Sequence, residues 1–307
     1  MSLRRALPLL AAVAVAVVVG VTLLIAANDG DSTSRSSTSA PAATAPAPPA
    51  DEPEPAEGAA AKASPSGQPV PAGDLPGWRQ VLRDDFTTDV ASWGECGTFD
   101  DHTCPDLPDA YRSRWWAYPS SYQDTREKLS GDGGYYQPSN LSMSGGMLRI
   151  LLRRDNGTTE SAAPYPRMDP LTYGRYAVRW RVPEAVPGFK IAWLLWRTVT
   201  PWGEIDFPEG DLDGQVHAFM HKEDGSQDDF AGGVPVAGAW QTTVIEWTPG
   251  RVRFLLDGDL IGTSTEGVPD TPLAWILQSE TTLTGDVPAD GTSARIDVDW
   301  VSAWARE

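Results

Sequence analysis

From Trp78 onward, short runs alternate between apolar and polar residues with a period of two, and the 3.6-residue spacing of amphipathic helices is rare. Successive side chains of a strand point to opposite faces, so each run predicts a strand with one face for a core and one for solvent. In residues 173–182, Tyr176, Val178, Trp180 and Val182 share one face, while Ala177, Arg179 and Arg181 share the other. Residues 214–222 sort the same way, with Val216, Ala218 and Met220 set against Gln215, His217, Phe219 and His221. Residues 188–199 and 242–247 give two further strands, and residues 294–305 the last. Two hairpins are predicted, one within 140–153 across Gly145-Gly146 and one within 251–261 across Asp257-Gly258. Many one-faced strands without helices between them predict an all-β domain, an antiparallel sandwich of two sheets. No repeat with a period of about 20–50 residues is present, which disfavours a solenoid or propeller.

Composition divides the chain into three parts. Residues 1–27 begin with Arg4 and Arg5 and continue as an uncharged, mostly apolar run from Ala6 to Ala27. As a helix at about 1.5 Å per residue this run is about 33 Å long, roughly the thickness of a bilayer core. It reads either as a signal anchor or as a signal peptide cleaved at Ala27, with its basic end cytoplasmic. The rest of the chain is then expected outside the cell or at its surface. Residues 28–77 are rich in Pro, Ala, Ser, Thr and Gly and nearly free of large apolar side chains, which predicts a disordered linker. Residues 78–307 are the foldable part. The formal charge of −18 opposes binding to nucleic acid or to anionic lipid, so a membrane is reached only through residues 1–27. A neutral polymer is not repelled, and a monomer is expected. Cys96 and Cys104, the only cysteines, sit in a loop-like segment of an exported chain, where a local disulfide is the default pairing.

Candidate chemistry is concentrated in Glu204-Ile205-Asp206-Phe207-Pro208-Glu209. Alternation puts Glu204 and Asp206 on one face and Ile205 and Phe207 on the other. Glu209 joins the carboxylate face only if one extra residue forms a β-bulge, and Pro208, which cannot donate to a strand ladder, suits that irregularity. Carboxyl groups about 5–5.5 Å apart are what retaining glycoside hydrolysis needs, and crowding raises the proton affinity of at least one of them. A solvated acidic turn or a calcium loop is the competing reading of the same spacing. Thirteen tryptophans accompany this segment, most of them expected in the core, with Trp202 and Trp196 as candidates for a sugar-stacking surface. His217 and His221 are two of only three histidines and share the predicted carboxylate side, where hydrogen bonds from them tune Asp206 or the nucleophile. A zinc site built on both is the rival reading.

The stretch Gly203 to Gly210 resembles the catalytic signature of glycoside hydrolase family 16 in its bulged, laminarinase-like form. Tyr135 to Asn140 with Gly146-Met147-Leu148, Tyr173 to Tyr176 with Arg179, Trp193 to Trp196, Gln278-Ser279-Glu280 and Val298 to Val301 resemble the family's other strands. They occur in the expected order over nearly all of residues 78–307. The resemblance implies a concanavalin-like β-jelly-roll sandwich of two curved sheets, with a concave cleft for an extended β-glucan. It implies Glu204 as nucleophile, Glu209 as acid/base and Asp206 as the assisting residue. It puts Trp196, Trp202, His217, His221, Arg179, Asn140 and Gln278 in the substrate-binding set. It also implies a structural calcium on Asp299 and the Gly146 carbonyl, with no cofactor needed for catalysis. The implied activity is retaining, endo-acting hydrolysis of β-1,3 or mixed β-1,3-1,4 glucan. A transglycosylase that remodels an envelope or exported polysaccharide and a non-catalytic carbohydrate-binding sandwich are the two other readings. The segment from Cys96 to Cys104 and the acidic residues 223–229 look like loop elaborations.

Overall fold

The alternating runs pair into two curved sheets with one core between them. The computed structural model describes residues 64–307. A five-stranded antiparallel sheet holds, in spatial order, Gln227–Pro235, Gln215–His221, Glu204–Asp211, Phe189–Arg197 and Leu273–Thr281. A ten-stranded sheet is centred on Gly174–Arg181 and Ser293–Arg306, flanked by Gln241–Thr248 and Leu148–Asp155. A small ribbon pairs Trp115–Ala117 with Pro164–Pro166. Both predicted hairpins form. Leu141–Met143 pairs with Leu148–Asp155 around Gly145-Gly146, and Arg251–Leu256 pairs with Asp259–Ser264 around Asp257-Gly258. Asp257 and Gly258 have φ of 50° and 95°, the positive values that a two-residue hairpin turn of the strand's own twist requires.

Tyr176, Val178 and Trp180 of the larger sheet enter the same core as Ile191, Trp193, Leu195 and Leu277 of the smaller one, and the rings of Trp180 and Trp193 lie 5.7 Å apart. Nine of the thirteen tryptophans are buried, leaving Trp78, Trp196, Trp202 and Trp240 half-buried. The expected disulfide joins Cys96 to Cys104. The acidic stretch that looked like a loop leads into an edge strand, Gln227–Pro235, in which exposed and half-buried positions alternate. Asp228 and Asp229 on an edge oppose pairing with another sheet, which is how an exposed edge is protected.

The linker ends earlier than its composition predicts. Residues 64–77 run over the outer face of the larger sheet, where Val70 is buried among Ala177, Val244, Trp300 and Trp304. The Trp300 indole donates to the Gln68 carbonyl at 2.8 Å and the Trp304 indole to the Gly73 carbonyl at 3.0 Å. Two large indoles on an outward face need both apolar cover and acceptors for their N–H groups, and a segment of small residues supplies both. The anchor or signal segment and the rest of the linker, residues 1–63, lie outside the described residues. Among the described residues, no helix is long and apolar enough to cross a membrane.

Candidate active site

The three carboxylates converge because their strand carries one residue more than its neighbours. Glu204 and Asp206 stand opposite Trp196 and Leu194 on one side and opposite His221 and Phe219 on the other. The next residue in register is Glu209, opposite Ala192 and His217. Three steps along the central strand therefore match two on each flank, a β-bulge at Phe207-Pro208. The peptide between those two residues is cis. The bulge returns Glu209 to the face of Glu204 and Asp206, while Ile205 and Phe207 enter the core.

This face is unevenly open. On the side of Phe189–Arg197 and Leu273–Thr281, Leu194 and Ile276 are buried with Tyr136 and Ala163, and Tyr118, Tyr122 and Tyr165 pack against them. On the other side His217 and His221 keep a third of their side-chain surface, 33% and 35%. The cleft is thus open over Gln215–His221 and Gln227–Pro235 and walled by tyrosines opposite.

Each acid has a different environment. Asp206 is buried, and its Oδ2 lies 2.8 Å from His221 Nε2, while its Oδ1 has no hydrogen-bond partner. One oxygen of Glu204, one of Asp206 and a ring nitrogen of His221 lie within 4.8 Å of one another. Burial pushes Glu204 well above the usual carboxylate range, and the neighbouring Asp206 adds to this, against the pull of His221. Burial also raises Asp206, to about 6, although His221 opposes it. Burial alone lowers the His221 imidazole, but Asp206 and the hydrogen bond to it, helped by Glu204, raise it to about 9. At neutral pH His221 is therefore a cation beside crowded acids that share protons. Glu209 is contacted by Lys190, whose Nζ lies 2.5 Å from Oε1. His217 bonds Asp229 at 2.8 Å and stacks on Phe219, so the two histidines serve different carboxylates and make no common zinc site.

A model of the family described as "Glycosyl hydrolases family 16" matches residues 134–302. The chain belongs to glycosyl hydrolase family 16. Among solved structures it resembles the Bacillus licheniformis β-glucanase at 17% identity and a TM-score of 0.56, covering 74% of this chain and 98% of that one. An immunostimulatory antigen and pseudo β-1,3-glucanase of Mycobacterium tuberculosis matches at 18% identity and a TM-score of 0.59, covering 74% and 99%. A prokaryotic β-1,3-1,4-glucanase (lichenase) from a mouse hindgut metagenome matches at 18% identity and a TM-score of 0.53, covering 66% and 96%. At these identities the likeness is one of fold, the family's β-jelly roll. No curated protein matches in sequence.

Several residues that the family resemblance implied lie on the cleft face of this family 16 domain. His217 and Gln278 share the row of Glu209, Gln278 being half-buried and opposite Ala192. His221 and Trp196 flank Glu204, but the Arg197 guanidinium lies 3.9 Å from the Trp196 ring centre and takes one of its faces. Trp202 precedes the strand, which begins at Glu204, so alternation does not fix its side. Two implied binding residues are elsewhere. Arg179 belongs to the larger sheet and points away from the core, where it bonds Thr242 at 3.0 Å and Asp257 at 3.3 Å. Asn140 is buried at the larger sheet's edge and donates to Glu160 at 3.4 Å, rather than meeting any of the three acids.

The side-chain ligand implied for calcium is also engaged. Ser64 Oγ and the Ser66 N–H both donate to Asp299 Oδ2, at 2.5 and 3.1 Å, and a side chain at Gly146 would meet Pro65 at 3.5 Å. Donor hydrogens aimed at that oxygen compete with a cation for its lone pairs, so Asp299 as arranged does not fit a calcium site. Lys190, Glu280 and the tyrosine wall were given no role at the site from sequence, although Glu280 and Tyr136 lie in strands that resemble the family's. The only available signal was a lysine set between Phe189 and Ile191 in an otherwise apolar strand.

Proposed function

We propose that this chain is a retaining, endo-acting glycoside hydrolase that cleaves β-1,3 or mixed β-1,3-1,4 glucan, outside the cell or at its surface. What carries the reading is the bulge that aims Glu204, Asp206 and Glu209 at one open cleft. The β-glucanase names of two similar folds support glucan as the substrate class. Glu209 gives its proton to the glycosidic oxygen as the bond to the anomeric carbon breaks, and the Glu204 carboxylate attacks that carbon to form a glycosyl ester. Glu209, now a carboxylate, takes a proton from water, and the water oxygen displaces Glu204 from the anomeric carbon. Glu204 must be ionised to attack, and Asp206 Oδ1, buried without a partner, is an acceptor for a proton shared with it.

Replacing Glu204 with Gln is nearly isosteric. In E204Q, release of reducing ends from laminarin and mixed-linkage glucan falls by roughly 10³-fold or more while the melting temperature is kept. Near-normal activity in E204Q refutes the assignment. Product analysis by NMR gives β-configured ends for a retaining hydrolase, whereas products longer than the starting oligosaccharide identify a transglycosylase.

A further inference from the structure

A buried ammonium is costly unless it is paired and hydrogen-bonded, so the partners of a buried lysine carry information. Lys190 is 7% exposed, and its Nζ contacts Glu209 Oε1 at 2.5 Å. Across the sheet it stands opposite Asp211 on one side and Glu280 on the other. Glu280 is itself buried, and its Oε2 accepts from the Tyr136 hydroxyl and from the Thr125 N–H, each at 3.0 Å. Tyr136 is part of the wall over the cleft face, so the lysine is braced from behind by a group tied to that wall. Burial works against the Lys190 charge, but Glu209, Glu280 and Asp211 together hold the ammonium above its ordinary range.

We propose that Lys190, braced by Glu280, is the positioning residue of Glu209: it fixes Oε1 and leaves Oε2 for the substrate. The inference rests on Glu209 being the acid/base. The other charged groups around Glu209 are Glu204, Asp206 and Asp211 on its own strand, His217 and His221 on the next, and Asp229 behind His217. Among the described residues Lys190 is the one cation in contact with Glu209. Glu209 acts in both half-reactions, so the contact serves both.

Steady-state kinetics of the full chain on a laminarin oligosaccharide read the positioning. In K190M kcat falls by roughly 10–100-fold while KM stays within about twofold, and K190R restores kcat. If K190M fails to fold, K190M/E280Q removes both buried charges together and gives the same loss of kcat. An unchanged kcat in folded protein overturns the proposal. The underlying reading is tested separately with E209A on an activated aryl β-glycoside. Rescue by azide with an unchanged kcat in K190M overturns Lys190 alone, and full activity of E209A on oligosaccharide overturns both.

Discussion

Three acids can share one face of a strand because their partners differ. Asp206 has a histidine, Glu209 a lysine, and the Glu204 side chain makes no hydrogen bond among the described residues and is raised chiefly by burial. The His221 imidazole is raised from 6.5 to about 9, so its contribution to stability is complete below pH 6.5 and is lost as pH rises through 9. Asp206 is also raised, from 3.8 to about 6, so its burial disfavours the folded state as it ionises over that lower range. Denaturant unfolding should therefore show stability falling between pH 6.5 and 9, with that slope flattened in H221Q. An unchanged slope in H221Q would assign the loss to another group. At this scale the sequence is informative about residues on one strand, because alternation is fixed by covalent geometry. It says little of Lys190, whose meaning depends on a carboxylate from a different strand.

The bulge and the segment before Trp78 each turn a local irregularity into function or stability. Deleting Pro208 removes the extra residue, and strict alternation then keeps the glutamate, now four positions after Glu204, on the cleft face without a bulge. The deletion variant is therefore expected to fold and to keep activity within about tenfold of the parent. P208G keeps the residue count and the bulge, and its activity stays in the same range. A folded deletion variant without activity would mean that the bulge does more than set the face of Glu209. On the outer sheet, V70A removes apolar cover from Trp300 and Trp304 and costs about 1.5 kcal/mol in urea unfolding. Chelation of calcium leaves the melting temperature unchanged, since Asp299 is held by Ser64 and Ser66. A large loss on chelation would restore the cation reading. The bulge was legible because Pro208 and the spacing of three acids demand it. Attachment of residues 64–77 was not, because small and proline-rich residues carry no periodicity and their partners lie far along the chain.

The whole molecule combines a strongly acidic chain with the neutral substrate class proposed for it. A formal charge of −18 repels carboxylated or sulfated polymers but exerts no net force on a neutral glucan. Raising ionic strength from about 0.01 to 0.15 M shortens the screening length from roughly 30 to 8 Å, so KM for laminarin should change less than about twofold. A strong salt dependence with laminarin would indicate a charged substrate or partner. The tyrosine wall gives the cleft one closed side, and none of its residues was singled out in the sequence as bearing on the site. Period-two alternation, two glycine turns and one misplaced proline determined the strands, their faces and the grouping of Glu204, Asp206 and Glu209. Each of these follows from the reach of a few consecutive residues. Tertiary structure alone decided that Lys190 meets Glu209, that tyrosines cover Leu194 and Ile276, that Arg179 belongs to the larger sheet and Asn140 to the turn before one of its strands, and that Ser64 and Ser66 occupy Asp299. Those contacts join residues tens to hundreds of positions apart, and their identity depends on which strands become neighbours, a property of the whole packed sandwich.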